Sequence, residues 1–196
     1  MRPPLLVLAL AGAFLLLVAS LLIGSFTKPD LPPYSITEAP PVLVGDSLAG
    51  PVTYTLDASA GDVWRRFSFT RTAVVDSATP WDIAFRRNHI IAAPGAGIAD
   101  LGTVSFDSVR EVPADGYIPT QLGGGRDPVN AGVGKWYGYS MLSHLLTPKG
   151  HVYAVRSADG RYAKLEVLAY YCRVVGAACY TFRYAFQGDG SRRVVK

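Results

Sequence analysis

Side chains that carry chemistry are scarce in this sequence. Its 196 residues include three histidines, two cysteines and two methionines, and 17% are charged. Two cysteines with no further ligands nearby do not make a structural zinc site. No glycine-rich phosphate loop and no paired-carboxylate arrangement is present: "LGGGRDP" (residues 122–128) lacks the lysine and the serine or threonine of a phosphate loop. Gly45-Asp46-Ser47-Leu48 matches the opening letters of one esterase family, but no histidine here has an aspartate three residues before it to complete a serine–base pair. The net charge of +4 is scattered rather than gathered into a basic stripe, which excludes a nucleic-acid partner. Internal repeats are absent as well, and helical patterning is weak. A non-enzymatic protein is expected.

One long hydrophobic run is present. From Leu5 to Ile23 the chain reads "LLVLALAGAFLLLVASLLI", without a charge and with Ser20 its one polar side chain. As a helix it would extend roughly 29 Å, the thickness of a bilayer's hydrocarbon. A cleaved signal peptide is the competing reading, but its apolar part is usually shorter, and "LVAS" and "IGSF" are poor cleavage sites. Residues 1–24 are therefore read as a transmembrane helix, with Arg2 ahead of it favouring a cytoplasmic N-terminus. Residues 25–51 carry six prolines and read as an extended, semi-rigid spacer that lifts the rest of the chain off the membrane.

From Val52 to Lys196 the signals are those of an all-β domain. "VTYTLDA", "WRRFSFT", "WDIAFRR", "HVYAVRS" and "CYTFRYAFQ" are short, rich in β-branched and aromatic residues, and bounded by turn formers. In "WDIAFRR", Trp81, Ile83 and Phe85 alternate with Asp82, Ala84 and Arg86, as in a half-buried strand. Residues 107–135 read as a long loop. "SMLSHLL" (residues 140–146) is long enough for one or two helical turns before Pro148. His89, in "RRNHII", reads as a surface residue.

"YYCRVVGAACYTFRY" places Cys172 and Cys179 on either side of a six-residue loop. Pairing them sets Tyr171 opposite Tyr180, Val167 opposite Tyr184 and Leu165 opposite Phe186. One face of the hairpin is then apolar and aromatic, and the other carries Lys164, Glu166, Tyr170, Thr181, Arg183 and Gln187. A slip of one residue would mix the faces. The alignment that joins the cysteines also sorts the faces, so a Cys172–Cys179 disulfide is expected, in an oxidising compartment.

"WRRFSFT", "WDIAFRRNHI", "WYGYS…HLLTP", "VYAVRSADGRYAKLEVLAYY" and "TFRYAFQGDGS", in that order, resemble the HmuY-like haemophore family of exported bacterial proteins across residues 52–192. The resemblance implies an antiparallel β domain and, for the founding members, haem clamped between two axial histidines or methionines. The candidate ligands in the second half of the domain are Met141, His144 and His151. On a helical turn Met141 and His144 would project to one side, so His144 with His151 is the more workable pair. Alternatively His144 packs a short helix and His151 merely starts a strand.

On the residues alone no cofactor is expected; haem is what the resemblance adds. The protein is read as a single-pass protein of the bacterial inner membrane, its β domain in the periplasm. It would be an accessory subunit of a larger integral membrane complex, such as a photosynthetic or respiratory electron-transfer complex. Ala11-Gly12-Ala13 offers such a partner helix a small-residue surface for close approach. The alternative is haem capture at the membrane surface.

Overall fold

The computed structural model describes residues 4–38, 40–125 and 127–196. One α-helix, α1 (Leu5–Ser25), leads the chain. Thirteen strands follow among the described residues: β1 (Leu48–Asp57), β2 (Arg65–Ser68), β3 (Ala73–Val75), β4 (Ile83–Arg86), β5 (His89–Ala92), β6 (Gly97–Asp100), β7 (Gln121–Leu122), β8 (Pro128–Val129), β9 (Tyr137–Tyr139), β10 (Leu146–Pro148), β11 (Val152–Arg156), β12 (Tyr162–Cys172) and β13 (Gly176–Gln187). α1 is apolar on every face and none of its side chains is buried by the rest of the chain. Its two hydroxyls, Ser20 and Ser25, donate back to the carbonyls of Leu16 and Leu21 at 2.8 Å, which leaves neither donor unpaired in an apolar medium.

The strands form two main sheets, in the orders β1-β13-β12-β11-β6 and β3-β2-β4-β5, with every neighbouring pair antiparallel. Their facing sides are aromatic. Phe67 meets Phe182 edge-on at 5.2 Å, Phe85 stacks on Phe182 at 5.2 Å, and Phe69 stacks on Phe186 at 5.7 Å. Tyr54 closes the group against Phe67 at 4.8 Å. Such offset and edge-on pairs each contribute about 0.5–1.5 kcal/mol beyond the area they bury. In β4 the expected alternation is lost, because Ile83, Ala84 and Phe85 are all buried. This strand lies inside its sheet and is covered on both faces.

β1 is an edge strand, and its bulge between Ala49 and Val52 is where Gly50-Pro51 falls. An edge bulge is where a strand tolerates a proline. Gly50 has φ +116° and packs so closely on β13 that an added Cβ would lie 2.6 Å from the Tyr184 carbonyl oxygen. The strand thus begins at Leu48, four residues before the domain boundary read from the sequence. The spacer is also not a free tether. Thr37 exchanges hydrogen bonds with Thr55, and the amides of Val42 and Val44 donate to the carbonyls of Arg71 and Thr70.

The C-terminal hairpin holds the expected disulfide between Cys172 and Cys179, with Cα atoms 5.6 Å apart. Its register differs by two residues from the expected one: Leu165 faces Tyr184 and Val167 faces Phe182. A shift of two preserves the faces, so Leu165, Val167, Phe182, Tyr184 and Phe186 still line the core. Two irregularities, between Val167 and Ala169 and between Ala169 and Tyr171, then change the phase. Tyr170, expected on the polar face, is turned into the core against Trp136 and Tyr180. Lys164 is on the polar face but buried there, donating to the carbonyls of Phe106 and Val109 at 2.8 Å each. Residues 107–135 are not one open loop: Ile118 bridges to Ile98, Glu111 to Arg193, and β7 pairs with β8.

Because the disulfide closes a short loop at one end of an extensive sheet, replacing Cys172 and Cys179 with serine should lower unfolding stability by about 2 kcal/mol while leaving the fold intact. Chemical denaturation followed by tryptophan fluorescence would show a lower midpoint with an unchanged slope. A loss of the cooperative transition would contradict this.

Candidate functional site

The stretch expected to form a helical turn is a β-hairpin. β9 and β10 pair Tyr139 with Leu146 and Tyr137 with Pro148. Ser140–Leu145 makes the connection, closed by hydrogen bonds from the Ser140 amide to the Leu145 carbonyl (3.0 Å) and from the His144 amide to the Ser140 carbonyl (2.9 Å). His144 has φ +56°, a left-handed conformation costing a non-glycine residue about 1–2 kcal/mol. Helical spacing was misleading here because Tyr137 and Tyr139 alternate with Gly138 and Ser140, a period of two that the antiparallel pairing with Leu146–Pro148 completes.

The hairpin is braced from behind. Trp136 is buried and its indole donates to the Asn88 carbonyl at 3.0 Å, while the Asn88 amide donates to the Tyr137 hydroxyl at 2.9 Å. The Leu146 amide donates to the Tyr171 hydroxyl at 2.9 Å. Trp136, Tyr170 and Tyr180 pack with ring centres 5.2–5.4 Å apart, and burial raises the Tyr170 hydroxyl to about 12. These tyrosines are therefore structural core, not titrating groups.

The three candidate ligands are placed as follows. Met141 and His144 share the hairpin tip, and both are exposed. The His144 Nδ1 is hydrogen-bonded to the Tyr139 hydroxyl at 2.5 Å. His151 precedes β11, with Nδ1 2.9 Å from the Asp100 carboxylate. It lies beside the ring of Tyr153, whose hydroxyl is buried without a hydrogen-bond partner and held above its usual pKa by burial and by the Asp100 charge. Met141 and His144 are thus neighbours, while His151, just ahead of β11, has its own partner. Tyr139 and Asp100 were missed in the sequence. Tyr139 was within reach of a strand-period reading, but Asp100 is joined to His151 only through the β6–β11 pairing.

Both imidazoles are tethered through Nδ1, leaving Nε2 as the atom free to coordinate, the arrangement that orients metal-binding histidines. Among the described residues no group of three or more His, Cys, Asp or Glu could hold a bare metal ion. Two imidazoles and a thioether could serve only a group that brings its own equatorial ligands. An open cleft of about 260 Å³ runs beside the hairpin, lined by Pro29, Asp30 and Pro32 of the spacer, Leu145–Pro148, and Leu168–Tyr171.

Residues 60–184 match the HmuY protein family. The chain belongs to that family. No curated protein matches it closely enough to count as a relative. Among solved structures, a proposed lipoprotein of Bacteroides fragilis superposes with a TM-score of 0.61 at 15% identity, covering 78% of this chain and 97% of its own. The apo HmuY analogue of Tannerella forsythia gives 0.58 at 16%, covering 69% and 95%. An HmuY-like protein of Bacteroides vulgatus, proposed to bind haem, gives 0.57 at 19%, covering 75% and 97%. At these identities the likeness establishes the HmuY fold alone. α1 adds that this HmuY member is a membrane-associated or exported chain: among the described residues it is the one helix long and apolar enough to cross a bilayer, and a signal sequence has the same character.

A second cleft, about 300 Å³, lies between Trp81, Asp82, Arg71 and Arg161. Asp82 accepts the Phe69 amide at 2.7 Å. Its burial raises the carboxyl pKa to about 6, a change that the Phe69 hydrogen bond opposes and the Asp159 charge assists. A raised folded-state pKa means that the native protein holds a proton the unfolded chain gives up near 3.8. The associated stability is therefore full below pH 4 and lost as pH rises through 6. Melting temperature should fall between about pH 4 and pH 6, and Asp82→Asn should remove that fall, gaining up to roughly 3 kcal/mol at pH 7. An unchanged pH profile in the variant would contradict the assignment.

Proposed function

We propose that this protein is a non-enzymatic binding module of the HmuY type, held at a membrane by α1, that takes up haem at the β9–β10 hairpin. Family membership over residues 60–184 is the observation that carries this reading, since that span contains His144, His151 and Met141. The Nδ1 tethers of the two histidines support it, because each fixes a ring with one nitrogen left to bind. His144 and His151, or Met141 with His151, would hold the iron. When bound, the group itself supplies the redox-active iron, and the protein's part is ligation. The left-handed turn at His144 fixes that ring's direction, and Trp136 with Tyr137 anchors the hairpin's base.

A second reading rests on α1. None of this helix's side chains is buried by the rest of the chain, and nothing approaches within 4 Å of a side chain placed at Gly12. A small-residue surface of this kind suits a partner helix, and the protein would then be an accessory subunit of a larger inner-membrane complex, with the β domain on the periplasmic side and the N-terminus in the cytoplasm.

Titration of the detergent-solubilised full chain with ferric haem distinguishes the two. The expected result is a saturable one-to-one change to a low-spin Soret spectrum, reduced at least tenfold in affinity by His144→Ala and by His151→Ala, a loss of about 1.4 kcal/mol or more for each ligand. Weak, unsaturating spectra that are indifferent to both substitutions would overturn haem uptake and leave the accessory-subunit reading.

A further inference from the structure

The hairpin that carries Met141 and His144 reaches the end of α1. Gly24 lies in the last turn of the helix, and a Cβ added there would overlap the Leu142 carbonyl and come within 3.2 Å of the Leu142 Cβ. The Ser140–Leu145 tip therefore rests against the point where the helix ends. The spacer does not lift it away, because Pro29, Asp30 and Pro32 lie along β10 and β12.

The composition of this tip is unusual for a turn facing water. Met141 is 71% exposed, Leu142 52% and Tyr139 49%, and beside them at the helix end Phe26 is 82% exposed. From Trp136 to Pro148 the chain has no Lys, Arg, Asp or Glu, whereas Lys135 and Lys149 flank it and Lys28 follows the helix. Apolar side chains at the tip, aromatic residues beside them and lysines at the border match the layering of a membrane interface: acyl boundary, then headgroups, then phosphates.

We propose that the β9–β10 tip is a membrane-docking element, with Met141, Leu142, Tyr139 and Phe26 seated in the interfacial layer of the leaflet from which α1 emerges. The occupant of this exposed apolar surface is lipid. Contact with the helix end argues for it: α1 is 21 residues long, about 31 Å, so if one end is at one surface of the bilayer, Gly24 is at the other. The proposal rests on α1 being a retained span and is independent of haem. It adds a consequence for the proposed function, because His144 would stand at the lipid boundary, where an amphiphilic planar ligand partitions.

The test uses full-length protein in liposomes, with an environment-sensitive fluorophore on a single introduced cysteine. The native pair is joined in the disulfide and does not react. At Leu16→Cys, in mid-helix, the label reports whether α1 spans. At Leu142→Cys it reports docking. The expected result is blue-shifted emission at both sites, with Leu142→Cys quenched most by lipids carrying a quencher near the headgroup and Leu16→Cys by lipids carrying it deep in the chain. Water-like emission and no lipid quenching at Leu142→Cys, with Leu16→Cys quenched, would overturn docking while leaving the anchor in place. Failure at both sites would overturn docking and the retained span together.

Discussion

The contact on which this structure depends is the aromatic seam between its two sheets. Phe67, Phe69 and Phe85 on one side meet Phe182, Tyr184 and Phe186 on the other. Each sheet has several short strands that would be marginal alone. The seam joins them, and β12 and β13 are long enough to extend it past the second sheet to Trp136. The hairpin bearing Met141 and His144 is positioned by that extension. Tyr170 and Tyr180 behind Trp136 hold the base of β9.

The same seam explains where the buried polar groups lie. Asp82 and Lys164 sit at its margins, one satisfied by the Phe69 amide and the other by the carbonyls of Phe106 and Val109. Phe106 is covered on its faces by Lys164 at 4.4 Å and Arg183 at 4.3 Å, so cations close this margin of the core as packing groups. Arg183 also pairs with Glu166 at 2.7 Å across the outer face of the hairpin. These charges are bound into the fold, whereas His144 is at its surface with one ring nitrogen uncommitted.

Period-two patterning made the strands legible in the sequence, and the disulfide followed because aligning the cysteines also separated the faces of the last hairpin. The register was misjudged by two residues, since the pattern defines parity and not the length of the turn. Tyr170 was assigned to the wrong face because a bulge reverses parity locally and leaves no mark in composition. The site was harder to read. Met141 and His144 were identified, but in a helical turn rather than at a hairpin tip. Asp100 lies 51 residues from His151, and the packing of Leu142 on Gly24 joins parts of the chain 118 residues apart. Such neighbours are set by the order of strands in the sheet, which no local window contains.

An HmuY-type module that meets its ligand at the membrane should carry both its anchor and its haem when drawn from the cell. Isolation from native membranes in mild detergent, with absorption spectroscopy and intact-mass analysis of the same fraction, tests this most directly. The predicted result is a chain with α1 still attached and haem absorbance close to one equivalent. A chain that is free of haem and held in fixed stoichiometry with integral membrane subunits would contradict it.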